Sequence, residues 1–219
     1  MLLPLKYKMD RYSLEKMFTA FVSSTMYYGV EVWGGSYDSH LLKLEQLIVD
    51  GMRLVTGATA RSNISKLFRE TCWSSFGEKR DEAMLIMMFK VKNNLAPNYL
   101  TELLPPENRD QNRYNLRNSN NVKIPLHRGE TIIRSFIPTA IKLWNRLELD
   151  TRNSKTLTTF NTKLKSDRSI PNVNFYYGQR WPSILHSRLR IGCSSLTNKE
   201  NETILDFIHE YIIESNRFN

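Results

Sequence analysis

Three arginines, Arg109, Arg113 and Arg117, recur every four residues. On a helix that spacing sets their guanidinium groups along one face. Such a row can hold phosphates through charge-assisted hydrogen bonds. The same stretch opens on Pro105-Pro106 and holds Asn108, Gln111, Asn112, Asn115, Asn118, Asn120 and Asn121. That composition argues for a loop instead. A second group, Tyr176, Tyr177, Arg180 and Trp181, joins rings that can stack on exposed bases to a cation that can hold a backbone. The same rings would serve equally well as core.

The chemistry of catalysis is hard to find. Phosphoryl transfer by two metal ions needs acidic residues about 4 Å apart, and no two aspartates are adjacent in the chain. There is no Gly-x-x-x-x-Gly-Lys-Ser/Thr loop to cradle phosphates, no Gly-x-Ser-x-Gly elbow and no His-Glu-x-x-His pair. His40, His127, His186 and His209 are scattered singly. Cys193 has helix-like spacing from His186, but two ligands make no zinc site. Cys72, beside Trp73 and Phe76, reads as a buried thiol acting as a small hydrophobe. Asp38, Glu45, Asp50, Glu78, Asp81 and Glu82 read as helix caps and solvated faces. No cofactor and no metal site is expected.

What stands out is charge. The 219 residues carry 31 Lys and Arg against 22 Asp and Glu, for a net charge of +9. Residues 142–190 alone hold +7, whereas residues 1–104 hold +2, 105–141 hold +3 and 191–219 hold −3. A field of that sign attracts phosphate backbone through counterion release. Two cysteines, Cys72 and Cys193, rule out a disulfide scaffold and suit a reducing, intracellular setting, nucleus or cytoplasm. The first residues, with Lys6 and Lys8 directly after a short apolar stretch, do not read as a signal peptide. No window reaches 18 apolar residues, so no membrane partner is expected, and with no nucleophile–base constellation no small-molecule substrate is expected.

Helices must position these side chains. Leu14, Met17, Phe18, Phe21, Val22, Thr25 and Tyr28 predict an amphipathic helix over 13–28, capped by Ser13 and stopped by Gly29. Residues 27–35 read as an aromatic, glycine-punctuated turn. A second helix starts at Asp38 or Ser39 and ends at Gly57, and a third starts at Ser62 or Asn63 and runs through Phe68. A fourth covers about 77–93, its first turn acidic as the macrodipole favours. Pro97 fits the first position of a short helix to Leu104. Residues 105–130 are expected to be exposed, with a short strand at 122–126. Ile132, Ile133, Phe136, Ile137, Ala140, Ile141 and Trp144 predict a helix over 132–147 that Pro138 kinks or restarts. That stripe puts Trp144 in the core. Further helices are expected over 156–165, 182–191 (Ile184, Leu185 and Leu189 apolar) and 199–215, with 171–181 irregular. The class is mainly α, divided as 1–104, 105–130 and 131–219.

Several segments, taken in order, resemble one family. They are Leu5-Lys6-Tyr7-Lys8, then Tyr28-Gly29-Val30-Glu31-Val32-Trp33-Gly34, then Met52-Arg53-Leu54-Val55-Thr56-Gly57-Ala58. Phe89-Lys90, Leu95-Ala96-Pro97-Asn98-Tyr99-Leu100 and Tyr114-Asn115-Leu116-Arg117 follow. The most telling pieces are Leu143-Trp144-Asn145-Arg146-Leu147 and Leu189-Arg190-Ile191-Gly192-Cys193-Ser194-Ser195-Leu196, with Thr159-Phe160-Asn161 between them. Together they resemble the thumb and post-thumb region of reverse transcriptases from non-long-terminal-repeat (LINE-type) retrotransposons.

The resemblance implies a helical thumb-like first half and a helical basic C-terminal half that grip template, primer or element RNA. It also implies that fingers and palm, with the catalytic aspartates, would precede residue 1. The chain itself is then not an enzyme. No zinc knuckle carries over, since Cys193 stands alone. Charge and resemblance together offer Arg109, Arg113, Arg117, Lys123, Arg128, Arg134, Lys142, Arg146, Lys163, Lys165, Arg168, Arg180, Arg188 and Arg190 to an RNA or DNA backbone. Two other readings stay open: a decayed transposon-derived frame without activity, and a helical protein-interaction module.

Overall fold

The structure, a computed structural model, describes residues 3–107, 120–126, 128–166 and 180–192. Helical residues make up 69% of those that can be interpreted, with no sheet, so the chain is mainly α. Among the described residues the helices are α1 (Arg11–Met17), a π-helical stretch (Phe18–Ser23), α2 (Ser24–Tyr27), α3 (Val30–Trp33) and α4 (Asp38–Thr56). They continue as α5 (Ile64–Thr71), α6 (Phe76–Lys92), α7 (Asn98–Glu102) and α8 (Glu130–Ile133). The last are α9 (Phe136–Arg146), α10 (Leu149–Arg152), α11 (Leu157–Ser166) and α12 (Arg180–Ile191). None is long and apolar enough to cross a membrane. The helix expected at 199–215 and residues 171–179 of the irregular stretch expected over 171–181 lie outside the described residues, while Arg180 and Trp181 belong to α12 and not to an irregular stretch.

The fold gathers into two compact units: residues 1–26, 43–75 and 170–219 in the first, and 27–42 and 76–169 in the second. Val122 is drawn into the core of the second unit and is only 3% exposed.

In the first unit, α1 begins earlier than the serine signal suggests. Asp10, extended at φ −65° and ψ 161°, caps the helix by accepting from the Ser13 backbone N–H at 3.0 Å. The Ser13 side chain, and after it this backbone N–H, hold the Asp10 carboxyl below its ordinary pKa. The single stripe expected over 13–28 does not survive either. Leu14, Phe18 and Met26 are buried, while Phe21 is 59% exposed. The cause is the π-helical stretch, whose wider turn slips the register of every later side chain. Phe18 stacks on Trp73 with ring centroids 4.9 Å apart. A Cβ at Gly51 would overlap the Phe18 ring, so α4 needs glycine there. Gly57, at φ +73°, stops α4 as expected. Asn63 caps α5 by accepting from the backbone of Ser65 and Lys66. Cys72 ends that helix at φ +54° and is half-buried rather than enclosed, and its thiol pKa is pushed up by partial burial. On α12, Ser183, Ile184, His186 and Ser187 are buried, but Leu185 faces out, against the apolar role expected for it.

In the second unit, Leu85, Met88 and Phe89 of α6 pack with Ala140, Ile141 and Trp144 of α9, Phe160 of α11 and Val122. Phe160 stacks between Phe89, at 4.5 Å, and Trp144, at 5.8 Å. The turn expected at 27–35 contains the helical turn α3, whose Trp33 stacks on Phe76 at 5.7 Å. Pro97 sits at the N-cap of α7 rather than its first helical position. The helix expected over 132–147 is two. Proline at 138 has no N–H and its ring would strike the carbonyl four residues back. The break falls at that distance, across Arg134 and Ser135, and Pro138 lands in the first turn of α9. Ile132 and Ile133, on the far side of the break, lose the core and are exposed. The strand expected at 122–126 reduces to an isolated antiparallel bridge between Glu107 and Val122.

Candidate nucleic-acid interface

The basic side chains fall into three groups. Arg109, Arg113, Arg117 and Arg168 lie outside the described residues, and Arg180 is described only as part of the α12 backbone. A second group is committed to partners within the chain. Arg134 reaches Asp38 at 2.9 Å and Glu130 at 3.1 Å, and lies over the Tyr37 ring. The guanidinium holds the Asp38 carboxyl below its usual pKa, and Asp38 in turn raises that of Arg134. Lys163 donates to both the carboxylate and the backbone carbonyl of Asp150. Arg188 donates its Nε to the Gly57 carbonyl at 2.9 Å, and Arg190 pairs with Glu70 at 2.9 Å. These four have structural work that their sequence positions do not reveal.

The third group, Lys123, Arg128, Lys142, Arg146 and Lys165, is exposed. Two of these share one helix face. Lys142 and Arg146 stand one turn apart on the face of α9 opposite Ala140, Ile141 and Trp144, about 6 Å apart along the axis. Asn145 fixes the backbone just before Lys123. That side chain accepts from the Val122 N–H at 3.0 Å and donates to the Val122 carbonyl at 2.9 Å. Lys123 follows Val122 in the chain, and Arg146 follows Asn145.

Arg152 locks the same corner. It donates to the carbonyls of Asn145 at 2.6 Å and Leu147 at 2.8 Å, and to the Asn121 side chain at 2.9 Å. The first two bonds satisfy carbonyls left open at the end of α9. Asn145 and Arg152 are positioning residues that sequence reasoning missed. The available signal for Asn145 was its place after the core Trp144, where a polar side chain must point along the rim of the core.

Lys142 and Arg146 are exposed along this edge of α9, and Lys123 is exposed on the segment that Asn145 holds. Among the described residues no group of three or more His, Cys, Asp or Glu side chains could hold a metal ion. His40 is exposed, His186 is buried in α12, and His127, His209 and Cys193 lie outside the described residues. No family model, curated protein or solved structure matches the chain.

Proposed function

We propose that this chain is a non-catalytic thumb and post-thumb segment of a retrotransposon RNA-directed DNA polymerase, and that it binds nucleic-acid backbone without reading sequence. One observation carries the reading. The segment with the most telling resemblance, Trp144-Asn145-Arg146, is also the one that buries its ring, pins the backbone of Val122 and ends an α9 face with Lys142 and Arg146 exposed.

Binding is expected to be weak and salt-dependent. If five cations contact phosphates, log K against log salt should slope at about −4 to −5 on duplex DNA and about −3.5 on single strands. Lys142→Glu with Arg146→Glu should weaken binding to all sequences alike and flatten the slope. A salt titration of fluorescent RNA, single-stranded DNA and duplex DNA against both proteins is the test. No binding by the wild type at low salt, or equal binding by the variant, overturns the reading.

The purified chain is also expected to extend no primer in the presence of magnesium, because it carries no adjacent aspartate pair to hold the metals. Template-dependent incorporation that follows the protein through purification would contradict this. The second reading, a protein-interaction module, draws support from Leu95, Tyr99 and Leu103, exposed at four-residue intervals around α7.

A further inference from the structure

We infer that the seam between α5 and α12 is a second phosphate-binding surface, formed by Lys66 and Arg69 of α5 together with Arg190 of α12. This rests on the nucleic-acid reading above, but on different residues in a different unit.

By sequence α5 looks nearly neutral, with Lys66 and Arg69 beside Glu70. A lysine four residues before a glutamate would ordinarily share its charge across the helix surface. Here it does not. Glu70 is 3% exposed and its carboxylate is consumed from inside. Oε1 accepts from Arg11 Nη1 at 2.9 Å and from the Ser187 hydroxyl at 3.3 Å, and Oε2 accepts from Arg190 Nε at 2.9 Å. One buried carboxylate thus serves two guanidinium groups and leaves the triad at +1. The only acid of α5 is therefore withdrawn from the surface, while Lys66 and Arg69 remain exposed on it.

The packing of α12 on α5 concentrates that charge. Arg190 pairs with Glu70 yet keeps a quarter of its side chain exposed. Lys66 reaches the end of the same helix: a Cβ on Gly192 would lie 3.1 Å from its Nζ. Gly192 itself stands at φ +80°, so glycine is favoured there on two counts. Among the described residues of α5 and α12, the cations Lys66, Arg69 and Arg190 reach the surface, and the one acid, Glu70, faces inward. A phosphodiester backbone, with a charge on every residue and no need for shape recognition, is the ligand this arrangement fits.

The test uses the full chain and three variants. Lys66→Glu with Arg69→Glu is compared with Lys142→Glu with Arg146→Glu in salt titrations of single-stranded RNA, single-stranded DNA and duplex DNA. Removing two phosphate contacts should reduce the slope by about 1.4 on single strands and about 1.8 on duplex. Lys66→Gln with Arg69→Gln should give the same slope, and it decides the matter if the glutamate variant melts early. If wild type binds and the α9 variant weakens it, but both α5 variants keep the wild-type Kd and slope, the seam is not a binding surface and the broader reading stands. If wild type binds no nucleic acid at low salt, both fall together.

Discussion

Trp144→Ala is expected to destabilise the second unit by ~3–5 kcal/mol, the range for truncating a large buried ring. Trp144 is 2% exposed and lies on the α9 face that meets α6. Its ring stacks on Phe160, which stacks in turn on Phe89. Lys92 lies over it at 5.2 Å while pairing with Glu107, one residue of the Glu107–Val122 bridge. Removing it empties a cavity between three helices and loosens the corner that holds Lys123. Trp144→Phe should cost much less. It keeps most of the stacking, and it deletes an indole N–H that has no hydrogen-bond partner among the described residues. Urea melts of the three proteins read the difference. A wild-type midpoint for Trp144→Ala would mean that the ring is free, and would make it a base-stacking candidate.

Much of the helical order was legible, because periodicity and caps are local signals. Gly29 and Gly57 stop helices where expected, at φ +61° and +73°. The stripe of Phe136, Ala140, Ile141 and Trp144 met a core, as did Phe160 of α11. The failures share a cause, which is that each depends on something outside its own window. A π-helical turn is invisible to a period of 3.6, so Phe21 was assigned to the core and is solvent-facing. Pro138 announces a break but acts four residues upstream, and the stripe of Ile132 and Ile133 ran straight across it. Val122 sits in a polar stretch and is buried only because Asn145, 23 residues later, satisfies its backbone.

The candidate interface was legible in outline and illegible in detail for a related reason. Counting charges locates an excess, but it treats every cation as available. Arg134, Lys163, Arg188 and Arg190 are engaged by partners that lie up to 131 residues away in the chain, as Arg188 and Gly57 show. The same arithmetic hid α5, where a buried acid cancels charges on paper that it does not neutralise at the surface.

Glu70→Ala should have the largest effect in the first unit. Breaking a buried pair by removing one partner typically costs ~3–5 kcal/mol, because the remaining charge stays buried without compensation. Arg11 is 1% exposed, and Glu70 supplies it with a carboxylate oxygen and a backbone carbonyl, the latter at 3.0 Å from Nη2. The alanine variant keeps the carbonyl but loses the charge that made burial of Arg11 tolerable. Arg190 can turn to water, being partly exposed, so it does not share the penalty equally. Arg11→Met combined with Glu70→Met is accordingly expected to be more stable than Glu70→Met alone, since a packed apolar pair avoids the desolvation that the ion pair must offset. Added salt should rescue none of the single variants, because screening acts on exposed charges and hardly reaches buried ones. Denaturant melts of Arg11→Met, Glu70→Met and the double variant decide it. Additive losses in the double variant would mean that Arg11 and Glu70 contribute by packing rather than by charge.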